Sequence, residues 1–267
     1  MAARAPRVLH DPMTATVLAP RRRVLHAAGS AEAALTWYPP GFAMAVHAHD
    51  ADQASLLLTG SLKEETGSRA ADLCAGCTGF KAAGLSHADI YGRDGALILS
   101  FNRPHDDKRM RPWLWRRTRI QGMVRLAALA LEDESVCADA LDDCAALLDG
   151  EDAGDRSGAS PPAWLKRARE AVEADPADAR ADALAADAGV HRVHFCRRFA
   201  AAFGQPFSLY RRRVMVAKAV RALAEDGAAS SAAALEAGFA DQAHFVRALK
   251  AQTGVTPSRL SALLDAA

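Results

Sequence analysis

Apolar positions along this chain follow two different patterns, and the change falls near residue 120. Over the first hundred residues the apolar runs are short, at 34–38, 55–59 and 96–101. Glycines at 29, 41, 60, 67, 76, 79, 84, 92 and 95 cut them apart. Short runs with turn residues at near-regular spacing predict β-strands in a sandwich or barrel. From 120 onward apolar residues recur three and four apart, and over 120–131 and 136–148 acids occupy the other face, which predicts helices. A stretch of Gly, Ser, Pro and Asp follows with nothing to bury, and reads as a linker. The rest reads as helical, broken at Pro176, Gly189, Gly204, Pro206, Gly227, Gly238 and Gly254. The expected fold class is therefore α+β in two domains, with β-structure followed by helices and an all-α C-terminal part. The boundaries fall at 1–117, 118–149 (helical connector), 150–161 (linker) and 162–267.

Charge sharpens this division. The formal net charge of +1 conceals +5 over residues 1–120, −8 over 121–160 and +4 over 161–267. Two mildly basic ends are separated by an acidic middle. The chain has no run of about 18 uncharged apolar residues, so no transmembrane helix is expected, and residues 1–23 lack the apolar core of a secretory signal. Five cysteines do not suggest a disulfide framework, and a reducing, cytoplasmic setting is expected.

The C-terminal third contains two segments of the same grammar. Leu184 to Val190 leads into His191-Arg-Val-His-Phe195-Cys-Arg197-Arg-Phe199; Leu235-Glu-Ala-Gly238-Phe leads into Ala240-Asp-Gln-Ala-His-Phe245-Val-Arg247-Ala-Leu249. Each predicts a short helix, a tight turn at glycine, and a second helix. Phe195 and Phe199, like Phe245 and Leu249, lie four apart and face inward, so Val193, Arg197, Ala243 and Arg247 point out. Between the units, Tyr210, Val214, Ala217 and Leu223 mark a buried stripe. Arg211, Arg212, Arg213, Lys218 and Arg221 read as an exposed basic surface suited to phosphates, with Arg211, Arg213 and Lys218 as the chosen contacts. A rigid helix of this length can hold two recognition helices about 34 Å apart, on one face of a DNA duplex. The competing reading is an Ala-rich bundle with solubilising arginines, and the repetition of the whole unit argues against it.

With Ala217-Lys218-Ala219 to Leu223, Gly238-Phe-Ala-Asp-Gln-Ala-His-Phe245 with Arg247, and Thr253-Gly-Val-Thr-Pro257, residues 162–260 resemble the DNA-binding domain of the AraC family of bacterial transcription regulators. The resemblance implies base-edge contacts at Val193, Cys196 and Arg197 in the first unit, and at Gln242, Ala243, Val246 and Arg247 in the second. Arginine to guanine and glutamine to adenine are the readouts their chemistry permits, and Val193 and Ala243 suit a thymine methyl. Two departures stand out: Ala233 replaces a large aliphatic residue in the second unit, and His191 starts the first recognition helix where Ser or Asn is common.

In the N-terminal third, Gly41-x5-His47-x-His49-x3-Gln53-x6-Gly60 keeps the spacing of the first cupin motif, with Gln for Glu. Gly76-x5-Ala82-x-Gly84-x2-His87-x3-Tyr91 keeps that of the second, with Ala for Pro and Tyr for Asn. This half therefore resembles a cupin-like β-barrel. His47 and His49, two apart on one strand, would share a face. If a later strand brings in His87, three imidazoles converge into a set suited to Zn, Fe, Ni or Cu as divalent ions. Gln53 is the fourth candidate. A metal-free pocket for a small organic effector is the competing reading. Glu64 reads as a solvated strand residue, with a place at the pocket rim as the alternative. Cys74 and Cys77 form a lone CxxC, weak as a zinc signal and more consistent with a turn. Cys137 and Cys144 read as packing.

Together these features predict a sequence-specific DNA-binding transcription regulator whose cupin-like domain senses a small molecule or metal and modulates promoter binding. The expected partners are promoter DNA, the effector, a second copy through 118–149, and RNA polymerase. The alternative is a metal-dependent cupin enzyme of dioxygenase or isomerase type fused to a DNA-binding tail; Gln53 and the lack of another acid/base cluster weigh against it.

Overall fold

The computed structural model describes residues 18–29, 31–67, 69–105, 113–117 and 160–266. The helical connector with its pairing role, Cys137, Cys144 and most of the linker lie outside the described residues. Eight strands are described: β1 (Arg21–Ala28), β2 (Ala31–Tyr38), β3 (Ala43–His47), β4 (Asp52–Thr66), β5 (Arg69–Cys74), β6 (Cys77–Lys81), β7 (His87–Arg103) and β8 (Trp113–Arg117). Seven helices follow: α1 (Ala163–Ala174), α2 (Ala181–Asp187), α3 (Arg192–Phe203), α4 (Phe207–Asp226), α5 (Ser230–Glu236), α6 (Gln242–Thr253) and α7 (Pro257–Asp265).

The strands form one antiparallel sheet in the order β1-β2-β7-β4-β6-β8, with β3 also on β7 and β5 also on β4. β4 and β7 are long enough to serve two sets of partners. Their ends at 52–57 and 98–103 pair with each other and with β6 and β2, whereas 61–66 and 87–90 pair with β5 and β3. Between the two sets the register slips twice, next to Gly60 (φ +79°) and Gly95 (φ +64°). A Cβ on Gly60 would lie 1.9 Å from the carbonyl oxygen of Gly95, so only glycine permits the two strands to bend together here.

The apolar runs of β4 and β7 are continuous because both their faces are covered. Leu56, Leu58, Leu97 and Leu99 enter one core, and the intervening Leu57 and Ile98 enter the opposite one with Leu62, Leu73 and Tyr91. The first core is shared with the helices: Val216, Val220 and Leu223 of α4, Leu249 of α6 and Leu260 of α7 belong to it. Gln252 of α6 donates to the Leu58 carbonyl at 2.9 Å.

The expected barrel is corrected to an open sheet. Among the described residues β1 and β8 are its two ends and do not pair. The reason is visible at β1, which packs against α7 and whose Arg23 donates to the Ala266 carbonyl at 3.4 Å. A helix thus covers an edge that a closed barrel would pair.

The helical part is two helix-turn-helix units, α2–α3 and α5–α6, joined by the 20-residue α4. In the first, Phe195 and Phe199 pack on Phe207 and Tyr210 with ring centroids 5.3–5.4 Å apart, beside Leu165 and Val172 of α1. His191 and Asp241 cap the second helix of each unit, their side chains accepting from the Val193 and His244 amides. In the second unit Ala233 is fully buried beside Phe239 and Phe245. Gly238 has φ +87°, and a Cβ there would meet the Ala177 methyl at 2.6 Å, so the second turn sits directly against the start of the first unit.

Candidate functional site

The β-half brings the three sequence-selected histidines together. His47, the last residue of β3, is the cross-strand partner of His87 on β7, which sets their ring centroids 4.2 Å apart. His49 lies 5.1 Å from each. It reaches them from the loop after β3 rather than from the strand, which corrects the expected shared-face arrangement. One nitrogen of each histidine lies within 4.8 Å of the others. The Nδ1 atoms of His47 and His87 are bonded to the carbonyls of Ala45 (2.9 Å) and Leu85 (3.1 Å). A carbonyl only accepts, so both Nδ1 atoms carry the proton and both Nε2 atoms keep a lone pair. The His87 Nε2 is buried and has no hydrogen-bond partner.

Gln53 does not join this group. Its amide donates to Asn102 at 3.1 Å and its oxygen accepts from Ser55 at 3.3 Å, a polar chain on the β4–β7 ladder. Instead, residues that the two motifs leave unspecified surround the imidazoles. Glu64, expected as a solvated strand residue, is instead fully buried. It is ion-paired with Lys81 at 2.7 Å and accepts hydrogen bonds from the indoles of Trp113 and Trp115. Asp89, cross-strand from Glu64, is buried too, with its Oδ2 3.8 Å from His87 Nε2. Two periodicities signalled these positions. His87 and Asp89 are two apart on one strand, and so are Leu62 and Glu64, whose shared face is the core face.

The ionisation states follow from burial and from the single ammonium. Burial pushes His49 and His87 down to about 4, and Lys81 adds to it. Both are therefore neutral, as ligation requires. Burial alone would raise Glu64, but Lys81 and the indole donors outweigh it and hold the carboxyl below the usual range. Asp89, buried and opposite Glu64, is raised to about 6.

The residues fit a divalent transition ion. Nitrogen donors converge, two rings have their tautomers set by backbone carbonyls, and one lone pair is orphaned in the interior. Cys74 and Cys77 are not part of this set. They flank the β5–β6 turn at Gly76, and Cys74 accepts a hydrogen bond from Gln205 in the helical part.

On the helical side, Val193, Arg197, Gln242, Ala243 and Arg247 are exposed along one side of α3 and α6, with Val193 at 49% exposure. Val246 is half-buried, and Cys196 packs against the core of the first unit. The three selected phosphate contacts are placed differently. Arg213 is only 6% exposed and is corrected from a phosphate residue to an internal one: its guanidinium bonds Gln205 and lies against Gly76 of the β-half. Arg211 donates to the carbonyls of Pro176 and Ala177, and Lys218 to that of Ala174 at 2.9 Å. They neutralise the carbonyl end of α1 and the turn after it. Arg212 and Arg221 remain on the exposed face of α4. No helix among the described residues is long and apolar enough to cross a membrane.

Residues 184–262 match the family described as helix-turn-helix domain. No curated protein matches the chain significantly. Among solved structures, the C-terminal domain of AraT, a response regulator from Geobacillus stearothermophilus, is 21% identical over 39% of this chain and 88% of its own (TM-score 0.37). ToxT from Vibrio cholerae is 10% identical over 90% and 100%, also at 0.37. KdgF from Halomonas sp. is 19% identical over 37% and 92%, at 0.30. Overlaps this loose do not bear on function; the matched segment, with its two capped helix-turn-helix units and outward arginines, does. Residues 184–262 thus match a helix-turn-helix domain family and fold as two helix-turn-helix units.

Proposed function

We propose that this chain is a DNA-binding transcription regulator of the AraC type and that the β-half is its sensor: a divalent transition metal, alone or with a small ligand, held by His47, His49 and His87, changes how the two helix-turn-helix units engage a promoter. The observation that carries this reading is the convergence of three imidazoles, two with their Nδ1 atoms tied to backbone carbonyls. The route to DNA is short. β4 and β7 carry Glu64 and His87 at one end, and their other halves pack against α4. A ligand acts through this contact to the extent that it binds one domain arrangement better than the other. The test is elemental mass spectrometry on chelator-free protein, followed by fluorescence-anisotropy titration of promoter DNA with and without the ion. Near-stoichiometric metal that is lost in the His47/His49/His87 to Ala triple variant, with a metal-dependent shift in DNA affinity, is expected. Protein that stays metal-free after reconstitution, or DNA affinity indifferent to the ion, overturns it.

For the DNA face we assign base readout to Arg197 and Arg247, with Gln242, Val193 and Ala243 beside them. Arg197→Ala or Arg247→Ala should cost about 1–3 kcal/mol on the preferred site and relax selection at one base pair. Arg213→Ala, by contrast, should leave the salt dependence of DNA binding unchanged, because that side chain is enclosed between the two parts of the chain. Equal losses on specific and random DNA for the first pair would refute base readout.

A further inference from the structure

The geometry points to Asp89, and not Gln53, as the carboxylate that completes the three-histidine site as its fourth protein ligand. This rests on the reading that the histidines hold a metal, and it changes which residue does what.

Position is the first ground. β7 alternates, so His87 and Asp89 project from the same face; His87 pairs with His47, and Asp89 pairs with Met44 on one side and Glu64 on the other. Asp89 is thus built into the wall that carries two of the three imidazoles. Its Oδ2 lies 3.8 Å from His87 Nε2, too long for a hydrogen bond. Two ligands at about 2.1 Å from one tetrahedral ion stand about 3.4 Å apart, so the pair needs only a small inward shift to share an ion.

The second ground is that each residue keeps one unpartnered atom, while the Asp89 carboxyl otherwise engages Glu64. Asp89 is 4% exposed, His87 is 1% exposed, and Asp89 Oδ1 and His87 Nε2 are each buried without a hydrogen bond. Leaving such an acceptor unmatched costs about 1–3 kcal/mol, more for a charged group. An orphaned imidazole nitrogen facing a carboxyl that itself keeps an unmatched oxygen is what a cation would satisfy.

The third ground is elimination among the neighbours. Gln53 is neutral and occupied with Asn102 and Ser55. Glu64 is near enough to group with His87 and Asp89, but Lys81 and the two indoles already engage both its oxygens. With Glu64 and Lys81 cancelling, Asp89 is the remaining carboxylate in the group that can offset the charge of a dication.

Cobalt(II) serves as the probe, because its visible bands report coordination directly. Full-length apoprotein is titrated with CoCl2 in the wild type and in Asp89→Asn, Asp89→Glu and Gln53→Ala. Asp89→Asn should weaken Co2+ binding by about a hundredfold and shift the bands, Asp89→Glu should restore part of both, and Gln53→Ala should leave both unchanged. As a check that needs no variant, a crystal structure of the Zn2+-loaded wild type should place an Asp89 oxygen within about 2.2 Å of the ion. Asp89→Asn binding as tightly as wild type with the same spectrum, or Asp89 away from a histidine-bound zinc, overturns the assignment and leaves the three-histidine reading intact. Wild-type protein that binds no Co2+ overturns both.

Discussion

Lys81→Met should destabilise the protein by about 3–5 kcal/mol, the usual cost of removing one partner from a buried ion pair. Glu64 is fully buried and Lys81 nearly so, at a separation of 2.7 Å. Without the ammonium, Glu64 would keep only the two indole donors against its desolvation. The pH dependence should change sign with it. In the wild type the Glu64 carboxyl is held below its ordinary value, so its contribution is present above about 4.5 and is lost as pH falls through the lower folded value. In the variant burial acts with less opposition and raises the group. The folded state then prefers the protonated form, and stability recovers as pH falls toward the unfolded value. Urea unfolding of both proteins across pH 4–8 reads this directly. Parallel pH profiles would show that the pair does not set the charge of Glu64. Lys81→Met/Glu64→Leu should regain much of the loss, because it removes the stranded charge.

Gly60→Ala should be comparably damaging, at about 3 kcal/mol or more, for a steric reason. The added methyl meets a backbone carbonyl at 1.9 Å, and its φ of +79° is one that alanine avoids. Neither strand can yield alone, because β4 and β7 are paired on both sides of the bend. Gly84→Ala is the matched control. It also has positive φ, +76°, but nothing lies within 4 Å of the new Cβ, so only the conformational cost of about 1–2 kcal/mol applies. Thermal unfolding of the two variants separates strain from collision; equal losses would mean that Gly60 matters only for its φ.

The helix-turn-helix units were legible from pattern alone. Phe195 and Phe199 four apart, a glycine at each turn, and a polar cap before each second helix are local rules, and the helices at Arg192–Phe203 and Gln242–Thr253 obey them. The histidines were legible for a similar reason. The cupin-like spacing after Gly41 and Gly76 marked His47 and His87, and strand pairing then made them neighbours.

What the linear pattern could not reach were contacts between distant segments. Arg213 reads as one more arginine on a basic helix, yet Gly76, far away in the chain, leaves a place for its guanidinium. Glu64 reads as a solvated strand residue until Lys81 from β6 and the tryptophans of β8 close over it. Gln53 occupies the motif position for a ligand, but Asn102 on the neighbouring strand claims its amide.

Local chemistry therefore specified the element types, the second helices of the two helix-turn-helix units and the three imidazoles, since backbone periodicity and turn geometry depend on residues a few positions apart. The open sheet, the docking of α4 on β4 and β7, and the buried Glu64–Lys81–Asp89 group came from the tertiary structure alone. A charge becomes internal, and a strand edge covered, only when remote side chains arrive to compensate it. No short stretch of sequence records which ones will.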